Sequence, residues 1–340
     1  AVSAGLIDGL VYEKDAAQKL EETAAGKEKN KPPELSARDY LRIPPDSKGK
    51  RVRQVAFLVA QGNILRSAPA DLFGEEQAIT PKGIEQQVKL IEKDPSIRGV
   101  IVRVDSPGGD AVASDEILEH LKRLSKKKPV VFSMSDVAAS GGYYMAMTGD
   151  PIVAYPGTIT GSIGVIYGKV NLGGLYSKIG VNKEILKRGQ FADLDSDFQK
   201  LTPEGRARLR ETIDFIYAGF LKRVSEGRRK TVEEIEPFAQ GRVWSGQRAL
   251  GHGLIDATGG IDAAVELLRK KAGIQEDEMV RLVVFPSPKS WFDVWFRPAP
   301  SDEAAWDAET ALLARRLPAG LAPWLEGGFL RLLPYQIRIQ

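Results

Sequence analysis

The chain has 340 residues, 43% of them hydrophobic, which is enough for one sizeable core with extensions beyond it. Its 48 basic residues nearly balance 45 acidic ones, and the formal charge of +3 singles out no nucleic-acid partner. With no cysteine there is no disulfide, thiolate nucleophile or Cys-ligated zinc, and no Asp/Glu/His cluster at ligand spacing points to a metal; no cofactor is called for.

In chain order, residues 1–25 finish a short motif and then run as a polar helix, and 26–33 form a linker containing Lys, Asn and Pro. The core is expected to begin near Arg51. Val52 to Ala60 reads as an apolar strand, Pro81 to Lys93 as a helix through Ile84, Val88 and Ile91, and Gly99 to Val104 as a buried strand. Ala111 to Lys126 is again helical, with Ile117, Leu118, Leu121 and Leu124 on one side, and Pro129 to Met134 is the next strand. Strands and helices alternate as in an α/β fold with a parallel sheet and crossover helices. Pro203 to Glu226 predicts a long amphipathic helix with Leu209, Ile213, Phe215, Ile216 and Phe220 in the core.

Two stretches carry chemistry. Residues 135–144 read Ser-Asp-Val-Ala-Ala-Ser-Gly-Gly-Tyr-Tyr, which places Ser140 between a buried strand and two glycines that open a helix. Free backbone N–H groups and a positive dipole end there would favour an oxyanion, so Ser140 is a candidate acyl-transfer nucleophile; small residues at a helix start equally serve packing and capping. Residues 99–110 form an apolar strand ending in Ser-Pro-Gly-Gly-Asp, where glycines leave main-chain N–H groups open to a carbonyl. Gly108 and Gly109, with the Gly141 amide, are the oxyanion-hole candidates, although an ordinary βα turn would use the same residues.

Four ordered motifs, Ser-Pro-Gly-Gly (106–109), Ala-Ala-Ser-Gly-Gly-Tyr-Tyr (138–144), Thr-Ile-Thr-Gly-Ser-Ile-Gly-Val (158–165) and Gly-Arg-Val-Trp-Ser-Gly (241–246), make the chain resemble the signal peptide peptidase A (protease IV) family. The resemblance covers roughly residues 50–275. It implies a ClpP/crotonase-like core at 51–275, a helical N-terminal arm and linker at 1–50 and a Trp-rich C-terminal extension at 276–340. It also implies a serine endopeptidase that degrades cleaved signal peptides with a Ser/Lys dyad, membrane-associated on the extracytoplasmic side of the bacterial inner membrane. Ser140 would be the nucleophile, the Gly108 region the oxyanion hole, and Ser162 the residue that orients the lysine amine. Small, apolar side chains in an extended peptide are the implied specificity.

The dyad lysine of single-copy members sits in a Gly-x-x-Lys context, and the matching place here, Lys-Arg-Gly-Gln-Phe-Ala-Asp, puts Ala192 where the base belongs. Lys183 and Lys187 alternate with Ile185 as on a strand and read as solvated charges, whereas a lysine base must be desolvated. His120 lies in a charged helix and His252 in the turn Leu-Gly-His-Gly-Leu, where a cap or surface role fits better than a triad. Residues 1–8 and 249–256 share five identities, including Gly-Leu-Ile-Asp. In duplicated members the first half donates the lysine to the second half's serine, so the chain is expected to be the second half with its joining segment. Its active site would then be split with another half or subunit in an oligomer.

Asp193, Asp195 and Asp197 beside the candidate site suit either a solvated loop or a lysine-bearing neighbour. The tail carries Trp291, Trp295, Trp306 and Trp324, which fit packing on the core, a subunit contact or a membrane interface. No run of ~20 apolar residues is present, so any membrane attachment is expected to be borrowed or peripheral; the basic clusters at 126–128 and 228–230 fit charged helix ends and loops better than contacts with acidic lipid headgroups. Two other classes fit parts of the pattern: a non-catalytic assembly subunit that keeps its serine unused, and a crotonase-type acyl-CoA enzyme.

Overall fold

The computed structural model describes residues 51–67 and 78–287, the backbone of 329–332 and short pieces of 2–23. The chain divides into two compact units, 1–50 and 51–340. In the first, helical residues occur at 15–16, 19–20 and 23. The expected linker at 26–33 and the four tail tryptophans lie outside the described residues.

The second unit is built on a sheet whose main path contains β1 (Val52–Gln61), β4 (Ile97–Ser106), β6 (Val130–Ala139), β8 (Ile159–Gly161), β10 (Val243–Ser245) and β12 (Met279–Phe285). Their order is β10-β8-β6-β4-β1-β12, and β7 (Ile152–Ala154) pairs with both β6 and β11 (Ala257–Thr258). All of these pairs are parallel except β10 with β8. A smaller sheet joins β2 (Asn63–Ile64), β3 (Ala78–Ile79), β5 (Gly108–Asp110), β9 (Ile166–Tyr167) and β13 (Phe329–Leu332) in the order β3-β2-β5-β13-β9.

The near-continuous apolar strands are explained by burial on both faces. Ala56, Leu58, Val100, Val102, Val130 and Phe132 enter one core, while Val55, Ile101 and Val131 enter a second on the opposite face, as the period of two requires. The first core is closed by α1 (Pro81–Lys93) and α2 (Ala111–Ser125), through Ile84, Val88, Ile91, Ile117, Leu118, Leu121 and Leu124. The second is closed by α8 (Ile261–Ala272), whose Leu268 sits over Gly99; a Cβ at Gly99 would lie 3.0 Å from a Leu268 methyl. The α1 start follows local chemistry: the Thr80 hydroxyl accepts the Gly83 N–H at 3.1 Å and Pro81 occupies the first turn.

Three expectations are corrected. In α5 (Pro203–Arg228) Leu209 and Phe220 are buried, but Phe215 is 81% exposed, because only one stripe of this 26-residue helix meets the core. Residues 183–187, read as strand-like, take no regular structure; Lys183 and Lys187 are instead held by Asp197 and Asp193. Strand β12 lies in the segment expected as an extension beyond 275, yet it pairs along β1 from Val52 to Leu58 as the last strand of the main sheet. Among the described residues no helix is long and apolar enough to cross a membrane.

Candidate active site

Strands β6 and β8 run parallel with Ala139 opposite Gly161, so the residues that follow them, Ser140 and Ser162, leave the sheet side by side. The Ser140 N–H donates to the Gly161 carbonyl at 2.9 Å, and the Ser162 N–H to the Arg242 carbonyl at 2.8 Å. Both serines hold left-handed backbones, with φ of 52° and 50°. Ser140, with ψ of −117°, has the geometry of the first central residue of a type II′ turn, a position normally held by glycine. Such strain in a side chain with no glycine-like freedom persists only where the surroundings over-determine it, and it clusters at functional sites.

The glycines after Ser140 let a second element close on it. A Cβ at Gly141 would lie 2.6 Å from Ser114 Oγ and 3.2 Å from the Gly108 Cα, and one at Gly142 would lie 2.6 Å from the Ser106 carbonyl oxygen. The Ser106–Gly109 turn and the Ser140 turn are therefore packed backbone to backbone, and the first two sequence motifs form one site. Gly109 is equally constrained, since its Cβ would fall 2.0 Å from the Ile64 carbonyl oxygen. The Gly108 N–H donates to Ser106 Oγ at 3.1 Å, a partner that sequence reasoning did not single out although it stands in the same motif. Asp110 ends β5 and caps α2, accepting the Ala113 N–H at 2.8 Å and Arg66 Nε at 2.9 Å.

The element after Ser140 departs from expectation. It is a single helical turn, α3 (Gly141–Tyr144), too short for a macrodipole to build up, so any oxyanion stabilisation there comes from individual N–H groups. The turn is anchored by its tyrosines. Buried Tyr143 donates to the Leu254 carbonyl at 2.7 Å, and Tyr144 donates to Asp115, which Arg223 of α5 also meets at 3.2 Å.

The remaining two motifs brace the Ser162 loop. Trp244 of β10 faces Gly161 closely enough that a Cβ there would lie 2.9 Å from Trp244 Cδ1, and its indole N–H donates to the Phe238 carbonyl at 2.8 Å. A Cβ on Gly164 would meet the Gly241 Cα at 2.7 Å, and one on Gly246 the Tyr155 carbonyl oxygen at 2.0 Å. His252 caps α7 (Gly246–Gly251) and stacks on Phe238, with ring centroids 4.1 Å apart; burial and the nearby Arg248 and Lys230 hold its pKa below the ordinary value.

Ser140 is 0% exposed, and its Oγ is buried without a hydrogen-bond partner. No side chain of the described residues stands on that hydroxyl as a base. Asp197 and Tyr176 hold Lys183 and raise its pKa above the usual lysine range, the opposite of what a base requires. Lys187 is bonded to Asp193 at 2.8 Å, and Asp195 accepts from Tyr167 at 2.6 Å, so the three expected aspartates all find partners within this chain. Ala192 is exposed in the turn between them.

An α/β sheet that presents a buried, strained serine beside a glycine turn has the layout of a serine hydrolase site. The model of peptidase family S49 matches residues 122–275. The chain is 40% identical over 222 residues to a protein named as a protease in Synechocystis sp., covering 65% of this chain and 79% of that protein. It is 31% identical to a protein named as signal peptide peptidase SppA in Enterococcus faecium, covering 68% and 67%. With the chloroplastic serine protease SPPA of Arabidopsis thaliana it shares 37% identity over 84% of its own length but only 43% of that protein's, so the chain spans less than half of this longer relative. Among solved structures, ClpP1 of Listeria monocytogenes aligns with 14% identity and a TM-score of 0.39, over 60% of this chain and 91% of that one. The chain belongs to peptidase family S49, the SppA or protease IV family of serine peptidases.

Proposed function

We propose that the chain is the serine-bearing part of a peptidase that cleaves extended apolar peptides, among them the remnants of signal peptides, at a membrane surface. The observation that carries this reading is the Ser140 hydroxyl, buried, unbonded and held on a strained backbone against the Ser106–Gly109 turn. Ser140 Oγ attacks the peptide carbonyl and gives its proton to a lysine amine. The resulting oxyanion is held by the Gly108, Gly109 and Gly141 amides, the amine product leaves, and water hydrolyses the acyl-enzyme. Gly108 must leave Ser106 Oγ to receive the oxyanion, exchanging a neutral bond worth about 1 kcal/mol net for a charge-assisted one.

The lysine comes from a first half or another subunit, with Ser162 orienting its amine. Supporting this are the bare Ser140 hydroxyl, the aspartate-bound Lys183 and Lys187, and the exposed Ala192. Membrane association on the extracytoplasmic side of a bacterial inner membrane is part of the same proposal. The unbonded hydroxyl also favours a second reading, an assembly subunit whose serine is unused.

Hydrolysis of a signal-peptide-derived apolar peptide separates the two, measured with the chain alone and mixed with a lysine-bearing first half. Cleavage only in the mixture, abolished by Ser140→Ala, is expected. Cleavage by the chain alone would place the base within it, and no cleavage in either sample would favour the assembly role.

A further inference from the structure

The strained Ser140 backbone is tied at both ends. Its N–H donates to the Gly161 carbonyl at 2.9 Å, and its own carbonyl accepts the Tyr144 N–H at 2.8 Å. Strain of this kind persists only where surrounding contacts over-determine it, so whatever fixes Tyr144 also bears on the hydroxyl. Tyr144 is 2% exposed, its ring meets Phe220 edge-on with centroids 4.8 Å apart, and its hydroxyl donates to Asp115.

Asp115 is set apart by the helix that carries it. Helix α2 starts at Ala111, directly after the Gly108–Asp110 strand that holds the oxyanion glycines, and Asp110 caps it. Two successive residues of α2 then reach the Ser140 turn: Ser114 Oγ, 2.6 Å from where a Gly141 Cβ would lie, and Asp115, which receives the Tyr144 hydroxyl. The Tyr144–Asp115 bond thus joins the element that carries the nucleophile to the element that carries the oxyanion donors. Tyr143, by contrast, bonds to the Leu254 carbonyl, which belongs to neither. Arg223 of α5 backs the carboxylate, with Nε 3.2 Å from Asp115, and is itself flanked by Glu119 at 3.5 Å and Glu226 at 3.7 Å. A hydrogen bond to a carboxylate oriented in this way is about twice as strong as one between neutral groups.

We propose that Tyr144, Asp115 and Arg223 are positioning residues for the peptidase reaction, a clamp that sets where the Ser140 hydroxyl stands relative to the oxyanion glycines. All three act through the backbone of the Ser140 turn. The consequence for catalysis rests on the peptidase reading; the clamp itself does not. A displacement of about 1 Å between a nucleophile and the groups around it costs about 10²-fold in rate, so a partial loosening is read as a loss of about tenfold.

Tyr144→Phe removes the hydroxyl and keeps the ring against Phe220, Asp115→Ala removes the acceptor, and Leu124→Ala, in the core at the far end of α2, controls for lost stability. One readout is the rate constant for fluorophosphonate labelling of Ser140 in a mixture with a lysine-bearing first half. The other is hydrogen exchange at the amides of residues 144 and 145 in the isolated chain, taken relative to Val131 and Phe132 of β6. Tyr144→Phe and Asp115→Ala should each label about tenfold more slowly yet reach full occupancy, and their exchange at 144 and 145 should quicken about tenfold. The double variant should be within about threefold of the slower single one, because the pair acts as a unit, and Leu124→Ala should label within about threefold of the wild type. Labelling of Tyr144→Phe within about threefold of the wild type, or no relative change in its exchange at 144 and 145, would overturn the proposal. If the wild type takes no label in the mixture, the peptidase reading fails, and exchange alone decides the clamp.

Discussion

Replacing Ser140 by glycine should separate stability from chemistry. At φ 52° and ψ −117° an L-residue carries backbone strain of about 1–3 kcal/mol, which glycine does not. The buried, unbonded hydroxyl costs about 1–3 kcal/mol of unrecovered desolvation, and both glycine and alanine remove it. Against this, glycine raises the entropy of the unfolded chain by about 0.4–1 kcal/mol and forfeits about 0.8 kcal/mol of methylene burial. Ser140→Gly is therefore expected to be about 2 kcal/mol more stable than the wild type, and Ser140→Ala to gain less than the glycine variant, while neither reacts with a serine-directed probe. Urea unfolding followed by circular dichroism, with m-values compared to exclude changes in the unfolded state, measures the three midpoints. At an ordinary helical site glycine is about 1 kcal/mol worse than alanine. The same order at 140 would show that the backbone there is unstrained and would refute the argument.

Other positions give sharper single outcomes. Phe220→Ala, at a site with 0% exposure, should cost about 3–5 kcal/mol, whereas Phe215→Ser on the same helix should change stability by less than about 0.5 kcal/mol; denaturant midpoints compare them directly. Gly246→Ala would set a methyl 2.0 Å from the Tyr155 carbonyl oxygen, so a loss of about 2 kcal/mol or more is expected in thermal unfolding, with loosening of the Ser162 loop. Burial opposes ionisation of Asp256, yet Arg228, bound at 2.7 and 2.9 Å, and the Ile152 N–H at 2.7 Å outweigh it and hold the carboxyl below its ordinary pKa. Its contribution is thus present above the unfolded carboxyl's pKa and lost as pH falls through the lower folded one. Asp256→Asn should destabilise at pH 7 and flatten that acid limb in a stability–pH series.

The sequence made the central layers readable because their signals are local. Helical spacing from Pro81 and from Ala111 placed two helices and apolar runs announced buried strands, while the Thr80 and Asp110 caps and the close backbone approaches at Gly141, Gly142 and Gly246 emerge only from the structure. What escaped depends on contacts between distant residues. Helical spacing placed Phe215 on an apolar side but could not say how wide a stripe the core covers. Alternation around Ile185 imitated a strand, yet among the described residues no partner strand is present there and the lysines are held by Asp193 and Asp197 instead. The left-handed backbone of Ser162 and the pairing of residues 329–332 with β5 carry no local signature; each is fixed by elements remote in sequence. Gly-Leu-Ile-Asp, taken from the sequence as a repeat, is also an anchor, with Leu254 accepting from Tyr143 and Asp256 from Arg228.

The central claim is that Ser140 is a nucleophile awaiting a base from outside this chain. The direct measurement is intact-mass and peptide-mapped labelling by a fluorophosphonate, with the chain alone and after addition of a lysine-bearing first half. A single adduct on Ser140 that forms only in the mixture, and not in Ser140→Ala, is the expected result. An adduct on Ser140 in the isolated chain, or on any other residue in the mixture, would contradict the account.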